Sequence, residues 1–290
     1  TNDGTIDFNK LFSETRLVVP DDIALPVVRK QSDLPSGFLV SEKTTSGRVL
    51  DLRGFALPED IHSAGRVAVE AYSEMPENLA ALIRKAASVD LGKAGETKRI
   101  WELSAVMPNI RKGRPKEGKP PRFWYMLPDF AHRHRPNLFM ARVNSGSPKA
   151  YLNKGAECII DANFVTLWTE GEVVLDEYAL FALLNSAWVA AALEHSATVM
   201  GGGALKVEAT HVRRLPVPMM QADTLYELSQ FGRMLSKVTE DNTDSEILES
   251  IDALVASAAL GRDAFDDDVK ALRALAKAGR KKRKKHKKVK

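Results

Sequence analysis

Apolar positions in the first 60 residues come in short runs cut by turn residues. Arg16-Leu17-Val18-Val19 is β-branched and stopped by Pro20, and 47–55 sets Val49, Leu50, Leu52 and Phe55 among charges between glycines. Both read as strands between turns. The period changes at 77–89, where Leu79, Leu82 and Ile83 share one helical face. A second helix is expected at 96–106. Four prolines and two glycines make 107–121 a loop. Strands are expected at 122–127 and 138–143, and a strand or pair of strands at 157–168, bent near Asp161-Ala162-Asn163. One helix is expected over 177–194, with Asp176 as its N-cap. Its apolar residues cover most of the circumference, which predicts burial. Residues 199–205 form a flexible glycine loop, and Pro216 and Pro218 halt the chain. Helices follow at 221–239, through Leu225, Leu228 and Leu235, and at 245–259, through Ile247, Ile251, Leu254 and Val255. A further helix at 263–278 leads into a low-complexity tail expected to be disordered. No internal repeat is present.

Composition narrows the class. Of 290 residues 44% are hydrophobic and 28% charged, enough to bury a core. A single cysteine, Cys158, excludes a disulfide framework and points to a reducing, cytoplasmic setting. The longest apolar run, 178–193, is interrupted by Asn185 and Ser186 and falls short of the ~20 residues a membrane helix needs, so no membrane partner is expected. The chain starts at Thr1 without a signal segment, as a piece of something longer would.

Charge is uneven. Nine of the 42 lysines and arginines lie in 280–290, leaving 33 bases against 38 acids elsewhere. Within this acidic body, residues 98–135 hold ten bases and three acids, a candidate polyanion-binding stripe. It interleaves with Phe123, Trp124, Tyr125 and Phe130. Cations suit phosphates, and aromatic faces suit unstacked bases. Equally, the aromatics can be strand core and the cations a solvated loop. The glycines at 201–203, followed by Lys206, His211, Arg213 and Arg214, offer backbone N–H groups that nothing shields, or simply make a turn.

Catalytic signatures are missing. Lys119-Pro120-Pro121-Arg122 echoes the Asp/Asn-Pro-Pro-Tyr/Phe motif of amino-methylating enzymes but lacks the acceptor-binding Asp or Asn. Gly201-Gly202-Gly203 is no phosphate loop. His132-Arg133-His134 lacks the Cys or carboxylate companions of a metal site, and Cys158 reads as a buried small hydrophobe. No catalytic or metal-binding residue is assigned; the chain reads as a binder.

Residues 151–218 carry a recognisable order: Leu152-Asn153, Asp161-Ala162-Asn163-Phe164, 180–186 ending Leu183-Leu184-Asn185-Ser186, then Gly201-Gly202-Gly203, Leu205-Lys206-Val207, and 214–218 ending Pro216-Val217-Pro218. This resembles the C-terminal target-recognition region of gamma-class N6-adenine DNA methyltransferases of type I and type IIG restriction–modification and related phage-defence systems. The closing helix at 246–261 fits the same pattern, and the resemblance covers about 122–261. The family's cofactor-binding glycine motif and Asn-Pro-Pro-Tyr/Phe motif occur nowhere in the chain.

The resemblance implies an α+β fold, a mixed-sheet recognition domain followed by a C-terminal helical segment. Its divisions are 1–95 as an N-terminal portion or linker, 96–220 as the recognition core, 221–279 as helices and 280–290 as a disordered basic tail. The implied partners are double-stranded DNA and a methyltransferase catalytic domain or subunit, which would hold the S-adenosylmethionine; no cofactor is expected in this chain. Arg111, Lys112, Arg114, Lys116, Lys119 and Lys206 are the expected backbone clamps, with Gly201, Gly202 and Gly203 beside them. Arg122, Arg133, Arg135, His211 and Arg213 are the expected base readers. Asn153 and Asn163 are expected to cap turns, and Leu183, Leu184, Trp188 and Phe164 to be core. Two other classes stay open: a docking module with non-specific DNA affinity from its tail, and a single-strand binder stacking bases on Trp124 and Tyr125.

Overall fold

A computed structural model describes residues 21–92, 96–169, 175–239 and 245–285. The expected strand at 16–19 lies outside the described residues. The strands are β1 (Ala24–Val28), β2 (Leu39–Val40), β3 (Arg48–Leu50), β4 (Phe55–Ala56), β5 (Ser73–Glu74), β6 (Leu138–Ala141), β7 (Val143–Asn144), β8 (Ala150–Asn153), β9 (Ile159–Ile160), β10 (Phe164–Leu167), β11 (Thr198–Val199) and β12 (Leu205–Lys206). The helices are α1 (Pro58–Ala64), α2 (Arg66–Ala71), α3 (Glu77–Ser88), α4 (Glu177–Leu184), α5 (Ala187–Ser196), α6 (Ala209–Arg213), α7 (Ala222–Leu235), α8 (Ser245–Leu260) and α9 (Asp266–Lys285). The fold is α+β, and no described helix is long and apolar enough to cross a membrane.

The chain divides into two units, Thr1–Leu25 with Val49–Asp129, and Pro26–Arg48 with Phe130–Lys290. This differs from the expected cut at residue 95. The cause is non-local pairing: β1 runs parallel to β9, through Val27–Ile159, and β2 runs parallel to β8, through Leu39–Leu152. These pairings carry the early strands into the later unit.

In the first unit α3 buries Leu79 and Ile83 of the expected face together with Ala80 and Ala86, and leaves Leu82 half-buried. They pack with Ile23, Leu52, Leu57, Ile61, Met75, Tyr125 and Met126. The helix expected at 96–106 is replaced by a 3-10 turn at Ile100–Glu102. The strand expected at 122–127 is also absent. The chain turns instead, with Met126 N–H donating to the Phe123 carbonyl at 3.1 Å, and this folds the aromatics onto the core.

The second unit is built on a sheet ordered β10-β6-β8-β2. Alternation along β6 sends Leu138 and Met140 to one face and Phe139 and Ala141 to the other, and both faces are buried. The first face meets α4, α5, α7 and α8 through Phe181, Leu183, Val189, Leu228 and Ile251. The second meets Val28, Val40, Cys158, Ile160 and Phe164.

The helix expected at 177–194 is two helices. Asp176 caps α4, accepting from Ala179 N at 2.7 Å. The chain then breaks at Asn185-Ser186, where Asn185 accepts from Ala150 N and donates to the Ala150 carbonyl, on β8. Ser186 accepts from Val189 N, and Asp252 accepts from Ala187 N at 2.6 Å, so the new N-terminus has side-chain acceptors.

The tail is corrected as well. Residues 280–285, expected to be disordered, are the last turns of α9; residues 286–290 lie outside the described residues. The reason is Arg283, whose side chain is 2% exposed against Glu194 at 3%.

Candidate nucleic-acid interface

The basic segment of the first unit is a paired arm, where a loop was expected. Arg111 and Arg122 exchange backbone hydrogen bonds at 3.1 and 2.9 Å, and Arg114 and Lys119 at 2.8 and 3.2 Å. Prolines are compatible with this because Pro120 and Pro121 lie between the bonded positions and Pro115 opens the tip, so no needed donor is lost. The tip is a 3-10 turn at Pro115–Glu117 closed by Gly118 at φ +65°. Tyr72 OH donates to the Pro121 carbonyl at the arm's base.

Arg111, Lys112, Arg114, Lys116 and Lys119 are all exposed on this arm. Arg111 pairs with Asp129, and Arg114 and Lys119 share Glu117. Arg122 differs: its side chain is 11% exposed and is bonded to Asp129. The expected reader is thus folded into the arm's base. Burial acts to raise the Asp129 carboxyl, but the Arg122 hydrogen bond, with Arg111 and Arg53 nearby, holds it below the usual carboxylate range.

The neighbouring aromatics belong to the core. Tyr125 is buried, stacks on Phe123 at 5.7 Å, donates to Asp60 at 2.8 Å and accepts from Leu57 N at 3.1 Å. Trp124 is half-buried between Trp101 and Tyr125. These rings are therefore core, on a turn and not on the strand expected there, and stacking of bases on Tyr125 is not favoured.

In the second unit Arg133 is exposed, its Nε 3.2 Å from His134 Nε2. Arg135 is half-buried, its guanidinium 5.3 Å from the Phe130 ring centre. The two histidines are engaged separately. His132 stacks on Trp168 at 6.2 Å, and His134 Nδ1 accepts from Ala131 N at 2.9 Å. Burial and then Arg133 lower the His134 pKa.

The glycines form the tip of the β11–β12 hairpin. Met200 N donates to the Ala204 carbonyl, Gly203 N to the Met200 carbonyl, and Gly202 and Gly203 have φ of +86° and +77°. Gly201 and Gly202 are exposed. Gly203 is buried and its N–H is already used. Register puts Lys206 opposite Thr198 and Val143 on one face of the small sheet β11-β12-β7. Lys206 pairs with Glu208 at 2.7 Å, and the Glu208 N–H donates to His211 Nδ1 at 3.0 Å. Glu208 is held below the usual carboxylate range first by the Lys206 hydrogen bond and charge, then by His211 and Arg142.

The structure thus gathers Lys206, His211 and the exposed Arg142 around one carboxylate, with Arg213 and Arg214 exposed at the end of α6. Arg142 was missed in the sequence. Its signal was a single charge that closes the apolar run 138–141, at a position the fold leaves exposed. The arm cations belong to one unit and the hairpin cations to the other. Asn153 is fully buried, bonding Pro136 and Cys158, and Asn163 donates to the Arg29 carbonyl, so both serve the chain itself. Leu183, Leu184 and Phe164 are core; Trp188 is half-buried, its indole N–H donating to the Pro216 carbonyl.

Residues 121–256 match a family model described as Type II methyltransferase M.Eco57I, C-terminal domain. The match spans just under half the chain and nearly coincides with the segment singled out by its motif order. Residues 121–256 are thus similar to the C-terminal region of a restriction–modification methyltransferase, which supports the chain's being part of a DNA methyltransferase. No curated protein matches it.

Proposed function

We propose that this chain is the double-stranded-DNA recognition module of an adenine-specific, gamma-class DNA methyltransferase acting in restriction–modification or a related phage defence in the cytoplasm. The observation that carries the reading is the match over 121–256, a span that holds the hairpin and α6 with their exposed cations. Cations on ordered backbone suit phosphate contacts, which fix register, while arginines reaching a groove read bases. Extruding an adenine costs a few kcal/mol of unstacking. In this reading the recognition surface meets that cost by holding the duplex while a catalytic domain or subunit acts. S-adenosylmethionine would bind that partner, since neither family motif for donor or amine occurs here.

The test is binding to a randomised duplex library, with circular dichroism confirming that each variant folds. Arg111→Glu with Arg114→Glu should weaken binding to every duplex. Among Arg133→Ala, Arg135→Ala and Arg213→Ala, at least one should relax preference at one base position, since a bidentate arginine–guanine contact discriminates by about 1–3 kcal/mol. Calorimetry with S-adenosylmethionine should be blank. If all five changes leave library binding at the parent level, these residues are not the interface. Saturable donor binding would overturn the division of labour.

A further inference from the structure

The last turns of α9 lie outside the family match, yet they are built into the second unit. Arg283 uses all five of its N–H donors. Nε and one Nη2 hydrogen take the two Glu194 oxygens at 2.8 and 3.0 Å. The others reach the carbonyls of Gly146 and Gly203, both at 2.5 Å, and of Asn144 and Ser145 at 3.4 Å. A buried guanidinium is tolerated only when paired and fully bonded in this way. Two glycines permit the approach. A β-carbon on Gly279 would stand 2.7 Å from Glu194 Cβ, and one on Gly203 would stand 2.9 Å from the Arg283 carbonyl oxygen and 3.3 Å from Lys284 Cα.

Arg283 therefore has nothing left for a ligand, but its anchoring orients its neighbours. Lys277, Lys281 and Lys284 follow one another at spacings of four and three, which sets them in a row of about 10 Å along the helix. All three are exposed. The row ends beside the hairpin tip, because Gly203 seats on Lys284 while Gly201 and Gly202 next to it stay open.

We propose that Lys277, Lys281 and Lys284, fixed by the buried Arg283–Glu194 pair, form a rigid clamp on the phosphate backbone of a DNA duplex, continuous with the open tip at Gly201 and Gly202. This rests on the DNA-binding reading above. It assigns the C-terminal cations a defined position, where a flexible basic tail would contribute only diffuse attraction. Arg283 and Glu194 are positioning residues.

The experiment uses the full chain and a labelled 30-base-pair duplex of mixed sequence, titrated at several salt concentrations. Lys281→Glu with Lys284→Glu should weaken binding about tenfold or more and reduce the slope of log K against log salt by about 1.8, or 0.9 for each phosphate lost. Arg283→Ala should weaken binding comparably, although the guanidinium it removes has no free donor. Hydrogen exchange on the parent needs no variant: amides of 279–284 should be protected like those of α5. Exchange of 279–284 at unfolded-chain rates overturns the clamp. So does an Arg283→Ala chain that folds and binds as the parent does, or a double reversal without effect on a parent that binds duplex. A parent that binds no duplex at low salt instead overturns the DNA-binding reading itself.

Discussion

Gly232 on α7 lies directly against the Tyr178 carbonyl of α4: a β-carbon built on Gly232 would stand 2.1 Å from that oxygen. At this point α4 and α7 thus meet backbone to backbone. Glycine inside a helix normally weakens it by roughly 0.5–1 kcal/mol relative to alanine, so Gly232→Ala would ordinarily stabilise. Here the methyl has no room, and overpacking of a tight core costs about 1–3 kcal/mol. The expected outcome is a net loss of stability in urea titration. A higher unfolding midpoint for Gly232→Ala would show that α4 and α7 do not approach this closely.

Asp176 joins the same two helices by another route. One carboxylate oxygen caps α4 through Ala179 N, and the other accepts the Ser229 hydroxyl of α7 at 2.6 Å. Asp176→Ala loses both bonds and should cost about 1–2 kcal/mol, the range of a strong N-cap. Asp176→Asn keeps an acceptor for the cap and should cost less. Equal losses in the two variants, measured by thermal melts, would mean that the cap is not what Asp176 contributes.

How much of this was legible beforehand follows from distance along the chain. The faces of α3, α7 and α8 and the Asp176 cap are local patterns, and they read from residues three and four apart, though Leu82 and Leu225 are only half-buried. The break between α4 and α5 did not, because its acceptors come from far away: Asn185 is tied to Ala150 and Ala187 to Asp252. Apolar periodicity runs straight through such a break. The arm was obscured by its prolines, whose positions between bonded pairs depend on a register that spacing does not reveal. The buried end of α9 depends on Glu194, 89 residues before Arg283, and in sequence Arg283 is one cation among nine. For the interface, individual cations were visible, but not which of them are spent internally. Arg122 and Arg283 carry the same charge as Lys112 and Lys281, and only folding separates buried from presented.

Lys149 gives a pH dependence. Its ammonium sits 4.0 Å from the Phe38 ring centre and 5.0 Å from that of Tyr151, and it donates to the carbonyls of Gly37, at 2.7 Å, and Ser36. Burial pushes its pKa down to about 8. Between there and the ordinary lysine value of about 10.4, the unfolded chain keeps a proton that the folded chain releases. Protonation therefore favours unfolding, and this residue's contribution to stability grows as pH rises through the window and is lost as pH falls through about 8. Relative to Lys149→Met, the parent should gain stability between pH 8 and 10 in urea titrations. A difference that is flat or falls with pH would show that the ring contacts hold the charge against burial.

The remaining prediction separates the duplex reading from base stacking on the aromatic cluster. Tyr125 OH bridges Asp60 and the Leu57 amide inside the first unit. Burial, the larger influence, raises the Asp60 carboxyl, and the Tyr125 hydroxyl opposes it. Tyr125→Phe keeps the ring and its stacking surface but leaves Leu57 N and Asp60 without their shared partner. An unsatisfied buried polar group costs about 1–3 kcal/mol, so the variant should melt lower. Nucleic-acid binding at a temperature where the variant is folded should stay at the parent level, for duplex and single strand alike. Tyr125→Ala should lower stability further by removing core volume. If Tyr125→Phe and the parent melt alike while Tyr125→Ala selectively loses single-strand binding, the ring is a stacking platform and its hydroxyl network is incidental. If stability falls and binding holds, the cluster is the core on which the cationic arm stands.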